Sequence, residues 1–349
     1  MKPAILLLSG GSLVGENVID ALAARRDDLR LIATNTQAWA PSLARVDRVV
    51  LVPPTAGHAD ALLAAVESLV TEEQVALVIP CRDDDVVWLS HAAPGLRALG
   101  AGAPVGRPEA IRHIADKWLS AVFSVDHGLP FARSAPADDP ARVQVLLSEV
   151  GWPLLVKPRA GFASGGVRIL RTAAQLESVL GHSSLLLQEY LGCPQELARY
   201  LDDLERLGPP LFHSFEEAKY SLQAFIDPAG AVVAHLVTRH AMKQGKSASV
   251  ELLNAPELDQ LALRIANAFG SAGWRGPLNA QCQKRPDGSY AIYEYNGRFT
   301  GATSARALLG YDEVGMAMEA FGEIAQRSSK PLQSGAKVIR SPRSSLQLP

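Results

Sequence analysis

Residues 278–298 read LNAQCQKRPDGSYAIYEYNGR. Two strand-like runs, Leu278–Lys284 and Tyr290–Asn296, flank Pro286-Asp287-Gly288. Asp-Gly is a preferred two-residue hairpin loop. With Asp287-Gly288 as that loop, Gln281 lies directly opposite Glu294, their Cβ atoms roughly 4.5–5.5 Å apart on one face. Side chains alternate along a strand. The same face therefore carries Asn279, Gln283 and Asn296, and Arg298 if the strand continues. The other face carries Leu278, Ala280, Cys282, Ile292 and either Tyr293 or Tyr295, depending on bulges. A solvated face would be rich in Lys, Glu and Thr. This one gathers amide oxygens around one carboxylate and one guanidinium. Oxygen donors of low charge suit Mg²⁺ held mainly by substrate phosphates, and a neighbouring arginine suits a phosphoryl group in transfer.

Upstream, Pro153–Val156 reads as a strand ending at Lys157-Pro158. It runs into the glycine-rich Gly161-Phe-Ala-Ser-Gly-Gly166 and a second strand, Val167–Leu170. Glycines let backbone N–H groups approach phosphate oxygens; by itself the stretch equally fits an ordinary hairpin loop. Ser184–Tyr190, Tyr220–Ile226 and Val232–Thr238 are further strands, the last two joined by Asp227-Pro228-Ala229-Gly230, which is turn chemistry. Ala141–Val150, Gln175–Leu180, Leu258–Phe269 and Glu313–Ala325 read as helices. The first third differs. Ala4–Leu8, Leu29–Ala33, Arg48–Val52 and Ala76–Pro80 are short runs separated by helical patterns at Val14–Ala24 and Ala59–Thr71. Continuous apolar strands alternating with helices predict a parallel sheet covered on both faces. The expected organisation is a Rossmann-like parallel domain over residues 1–115, then an α+β region. Ser328–Pro349 is polar, lacks periodicity and reads as a loosely docked tail.

The chain of 349 residues has 34 Lys and Arg against 36 Asp and Glu, a net charge of −2. That balance argues against a nucleic-acid partner. Three isolated cysteines, Cys81, Cys193 and Cys282, exclude a disulfide scaffold and a Cys-type zinc site and point to a reducing compartment. No run is long and apolar enough to span a membrane. MKPAILLLSGG lacks a cleavage site, and a cytoplasmic location is expected.

Ser9-Gly-Gly-Ser-Leu-Val-Gly15 follows a strand and opens a helix, but dinucleotide binding requires a different glycine spacing and an acidic residue after the second strand, where Thr34-Asn35 stands. The loop could still contact a substrate at the carboxyl end of the sheet. Gly245-Lys246-Ser247 lacks the earlier glycine of a phosphate loop, since that position is His240. Ser164 is not in a nucleophile elbow, and no histidine grouping suits catalytic zinc.

Five segments in order, IADKW, PLLVKPRAGFASGGV, LLLQEYL, LNAQCQ and YEYNGRFTGATSARALLGYDE, resemble the ATP-grasp superfamily, in its carbamoyl-phosphate-synthetase-like and amino-acid-ligase-like branch. The resemblance covers residues 1 to about 325. It implies a small ATP-grasp lobe over 116–190 with a lid loop, and a large lobe over 191–327. It implies ATP with Mg²⁺ or Mn²⁺. Lys117 and Lys157 would contact ATP phosphates, with Gly161, Ser164, Gly165 and Gly166 in the lid. Gln188, Glu189, Tyr190 and Leu191 would form the adenine hinge, Glu189 taking the amino group. Gln281, Glu294 and Asn296 would hold the metal, and Arg298 would stabilise the transferred phosphoryl. The ribose contact is open between Glu196 and Glu217, because an insertion, Gly192 to Ala218, precedes the next strand, where Lys219 takes the matching position. Gly297 replaces the usual proline, and Gln281 replaces an acid. Arg239, Lys243, Lys246 and Arg306 are cationic candidates for a substrate carboxylate.

The activity so implied is carboxylate–amine ligation through an acyl phosphate, acting on small-molecule carboxylate and amine substrates. A homodimer is the expectation from the general frequency of oligomers alone. A kinase or carbamoyl-phosphate-type enzyme acting on a small anion is the alternative. A nucleotide-binding protein without ligase activity and an NAD-dependent oxidoreductase are the further rivals.

Overall fold

The structure is a computed structural model of the whole chain. It describes residues 2–161, 165–208, 219–243, 246–325, 331–332 and 335–341. Three sheets follow one another along the chain.

The first is parallel, with strand order β3-β2-β1-β4. It is built from β1 (Ala4–Leu8), α1 (Leu13–Ala21), β2 (Arg30–Asn35), β3 (Arg48–Leu51), α2 (Ala59–Glu73) and β4 (Val75–Pro80), followed by α3 (Asp83–Ala98) and α4 (Pro108–Ala115). All five β1 residues are buried, as a strand covered on both faces must be. The turn into α1 is closed by the Ser12 hydroxyl, which accepts from the Gly15 N–H at 3.1 Å. A Cβ on Gly10 would sit 2.7 Å from that of Ala33, so this glycine serves close packing.

A small antiparallel sheet follows, ordered β5-β8-β6-β7. Its elements are α5 (Lys117–Asp126), β5 (Ser134–Pro136), α6 (Pro140–Val150), β6 (Leu154–Pro158), β7 (Arg168–Leu170), α7 (Ala173–Glu177) and β8 (Leu185–Glu189). Asp116 caps α5 by accepting from the Trp118 and Leu119 N–H groups.

The largest sheet has six antiparallel strands, ordered β13-β12-β9-β10-β11-β14. In chain order the elements are α8 (Pro194–Leu207), β9 (Lys219–Ile226), β10 (Val232–Lys243), β11 (Lys246–Leu252), α9 (Pro256–Ser271), β12 (Gly276–Lys284), β13 (Tyr290–Asn296), α10 (Thr303–Leu308), α11 (Glu313–Gly322) and β14 (Lys337–Ile339). One face of this sheet supplies Leu222, Ala224, Leu278, Ala280, Cys282, Ile292 and Tyr295 to a core shared with Phe123 of α5 and Phe269 of α9. The opposite face is polar around Asn279, Ser221 and Gln223.

Three readings of the sequence change. The loop between β12 and β13 has three residues, since the Arg285 N–H donates to the Ser289 carbonyl and Lys284 opposes Tyr290. Gly288, at φ +90°, takes the left-handed position that this loop needs. A bulge at Tyr293 then restores Gln281 opposite Glu294 and places Asn279 opposite Asn296. Part of the expected tail is a sheet edge, with β14 pairing antiparallel to β11 from Ser249–Ile339 to Glu251–Lys337. The insertion after the hinge contains the helix α8, whose hydrophobic stripe buries Leu197.

Candidate nucleotide and metal site

A cleft of about 800 Å³, its open mouth included, lies between the small sheet and the large one. Leu155, Pro158, Val167, Tyr190 and Leu191 give it an apolar part; Lys117, Lys157, Lys219, Gln188, Gln283 and Glu294 give it a polar one. Three lysines against one carboxylate suit a polyanionic ligand.

β6 brings Lys157 to this cleft, and β8 brings Gln188. The Lys157 ammonium donates to Gln188 Oε1 at 2.8 Å and to the Tyr293 carbonyl at 3.0 Å. Bulging exposes that carbonyl, because an extra residue leaves the ladder there. Lys157 is 6% exposed. Burial pulls its pKa down to about 7; nearby Glu294 opposes the shift and Lys117 adds to it. Lys117 starts α5 and donates to the Gly161 carbonyl at 3.0 Å. Its Nζ stands 3.6 Å from Glu294 Oε1. Gly161 and Gly165 line the cleft; Gly166 flanks them at φ +76°. Ser164 lies outside the described residues, as does Glu217.

The hinge divides by strand parity. Gln188 faces the cleft, so Glu189 faces away from it. Its carboxylate accepts from the Arg133 N–H at 2.9 Å and pairs with Arg285 at 2.5 Å. The structure thus brings the Gln188 side chain to the cleft and commits Glu189 elsewhere. Glu196 is exposed in the first turn of α8 and is not a lining residue.

Glu294 and Asn296 share one face of β13, as the hairpin reading expects. Asn296 is 4% exposed, and its Nδ2 is buried without a hydrogen-bond partner. An unpartnered N–H donor suits an anionic oxygen such as that of a phosphate, while the Glu294 carboxylate, which lines the cleft, is the group that suits a cation. Gln281 stands opposite Glu294, but its amide oxygen already accepts from the Tyr293 hydroxyl at 2.8 Å. Glu294 therefore fits Mg²⁺, with Asn296 on its face of the strand and Gln281 opposite it. Among the described residues no three His, Cys, Asp or Glu cluster as an alternative.

Arg298 does not continue the strand. Its Nε and Nη2 donate to the two oxygens of Asp83, each at 2.8 Å. Arg306 corrects the expectation of a substrate-facing cation. It is fully buried in α10, paired at 2.5 Å with the equally buried Glu313 and bonded to Thr300 and Thr303. Arg239 is exposed and paired with Glu251 at 2.7 Å. Lys243 is exposed at the end of β10, and the Lys246 side chain lies outside the described residues. Reading the sequence placed Gln283 on the polar face, missed Tyr293 as a lining group and gave Lys219 no contact of its own. No helix among the described residues is long and apolar enough to cross a membrane.

No family model matches the chain. A formate-dependent phosphoribosylglycinamide formyltransferase of Synechococcus sp. strain RCC307 is 27% identical over 285 residues, 78% of this chain and 64% of that protein. The chain thus spans slightly under two thirds of that relative's length. Among solved structures, the biotin carboxylase domain of Hydrogenobacter thermophilus 2-oxoglutarate carboxylase, in complex with MgADP, ADP and bicarbonate, superposes with a TM-score of 0.67 at 15% identity, over 95% of this chain and 73% of the other. N5-carboxyaminoimidazole synthetase from Staphylococcus aureus, complexed with ADP, gives 0.69 at 10% identity, over 95% and 80%. The chain shares the fold of these structures, and its five motifs in order resemble the ATP-grasp superfamily.

Proposed function

We propose that the protein is an ATP-dependent carboxylate–amine ligase that forms ADP and phosphate. The observation that carries this is the lysine-lined cleft with the Glu294 carboxylate in its wall. The relative named for formate-dependent formyl transfer and the neighbour holding MgADP with bicarbonate support a small carboxylate as first substrate.

In this reading Leu155, Val167 and Leu191 enclose the adenine, and Lys117, Lys157 and Lys219 meet the phosphates. A carboxylate oxygen attacks the γ-phosphorus, the bond to the β-phosphate oxygen breaks, and ADP leaves. An amine nitrogen then attacks the acyl carbon, loses a proton, and expels inorganic phosphate. Little covalent chemistry falls to the protein. Its groups position the reactants and match the charge that develops. Held by Glu294 and phosphate oxygens, Mg²⁺ would neutralise part of the triphosphate charge. Arg298 would meet the transferred phosphoryl, and Gly161 and Gly165 would stand over the phosphates.

The test is ADP release with MgATP and hydroxylamine across formate, acetate, bicarbonate and a panel of amino acids. A hydroxamate formed with one carboxylate supports the reading and identifies the substrate class. ADP without hydroxamate from any carboxylate would favour phosphorylation of another small anion.

A further inference from the structure

We infer that Asp83, contributed by the N-terminal sheet domain, is a positioning residue for Arg298; the inference rests on the role proposed for Arg298 above. Arginine carries five N–H donors in a planar fork. Asp83 takes the side edge, through Nε and Nη2. The Phe299 carbonyl takes one Nη1 donor at 3.2 Å. One N–H on each of Nη1 and Nη2 is left, a second fork suited to an oxyanion. Asp83 therefore orients the guanidinium without occupying all of it.

Both ends of this pair are anchored in the fold. Asp83 is the first residue of α3, whose first turn is pinned by the buried Asp85. That carboxylate accepts from the Ser9 and Thr55 hydroxyls, each at 3.1 Å, and from the Cys81 N–H at 3.3 Å. Arg298 follows Gly297, where a Cβ would sit 2.6 Å from the Trp274 ring and 3.2 Å from Ile114. A side chain longer than this on a fixed backbone still has rotamer freedom; the bidentate pair removes it. Arg298 is 14% exposed in the pair and Asp83 36%. A partly exposed pair contributes little to stability, so its use lies in orientation. The carboxyl edge of the parallel sheet thereby belongs to the catalytic assembly, though no residue of that sheet lines the cleft.

The test compares binding of MgADP alone with MgADP plus fluoroaluminate, a mimic of the phosphoryl in transfer, by titration. Wild type, Asp83→Ala, Arg298→Ala and the double variant are measured, each with its melting temperature. Fluoroaluminate should tighten MgADP binding to wild type. Asp83→Ala should lose at least about tenfold of that tightening, keep its affinity for MgADP alone within about twofold, and melt within about 3 °C of wild type. Arg298→Ala should lose as much or more, and the double variant no more than Arg298→Ala. Full tightening in Asp83→Ala, equal weakening of MgADP alone, or losses that multiply in the double variant would overturn the inference while leaving Arg298 its role. Undiminished tightening in Arg298→Ala, or none in wild type, would instead remove the reading on which the inference stands.

Discussion

Lys157 carries the proposed role in phosphate binding on a side chain of unusual acidity. Buried with only a neutral amide and a carbonyl as acceptors, it holds its proton weakly, with a pKa near 7. A triphosphate would raise that pKa, because a nearby negative charge favours the ammonium. At pH 8 the free protein is mostly deprotonated at Lys157, so binding MgATP should take up close to one proton. Calorimetry in buffers of different ionisation enthalpy measures this. Affinity should weaken by up to about tenfold per pH unit above pH 7, one proton's worth; binding without proton uptake would refute the assignment. For the metal face, Glu294→Ala should abolish nearly all ADP formation, and turnover near that of wild type would refute its role. Parity set the limit of what was legible at this scale. Gln188 and Glu189 are adjacent and equally polar, and only the position of the cleft says which of them faces it. Arg306 was illegible because its partner, Glu313, arrives with the following helix.

Among the elements, the β12–β13 hairpin is where the sequence was read furthest. The register of its polar face was legible from Asp287-Gly288, but by two compensating steps. The loop is one residue longer than Asp-Gly alone predicts, and the Tyr293 bulge returns the offset. Alternation cannot show a bulge, since the extra residue here is one more aromatic in an aromatic run. The end of β13 offers a packing test. Gly297→Ala would drive a methyl group into the Trp274 ring. Overpacking of this kind costs about 1–3 kcal/mol, and the strain falls next to Arg298. Both the melting temperature and ADP formation should drop, as thermal denaturation and turnover assays of the same sample would show. An unchanged melting temperature would contradict the packing. β14 was missed for a different reason: three residues in a polar segment carry no period, and only the open edge of β11 makes them a strand.

Over the whole molecule, two buried titratable groups outside the cleft set opposing pH dependences. His240 is 7% exposed, with its ring nitrogens bonded to Thr238 and Ser247. Burial, then Arg306, Arg340 and Lys219, push its pKa down to about 3. The unfolded chain binds a proton at this residue below about pH 6.5 and the folded chain does not, so stability is lost as pH falls from 6.5 towards 3. Asp85 is pushed up to about 6, chiefly by burial and then by Asp84. Its contribution runs the other way, declining as pH rises from about 4 to 6. Replacing His240 by Gln should therefore leave a protein whose melting temperature falls less than that of wild type between pH 6 and 4.5. Parallel curves would show that His240 is not held neutral. The parallel sheet was legible because its continuous apolar strands alternate with helical periods, whereas the Asp83–Arg298 pair, 215 residues apart, was beyond any local pattern.

The proposed chemistry, carboxylate activation as an acyl phosphate, is tested most directly by isotope transfer. The carboxylate that supports ADP release is supplied with ¹⁸O in both carboxyl oxygens, together with MgATP and its amine, and the inorganic phosphate is analysed by mass spectrometry. The account predicts one ¹⁸O in each phosphate released, carried over when the amine displaces it. Unlabelled phosphate formed along with the amide would contradict it.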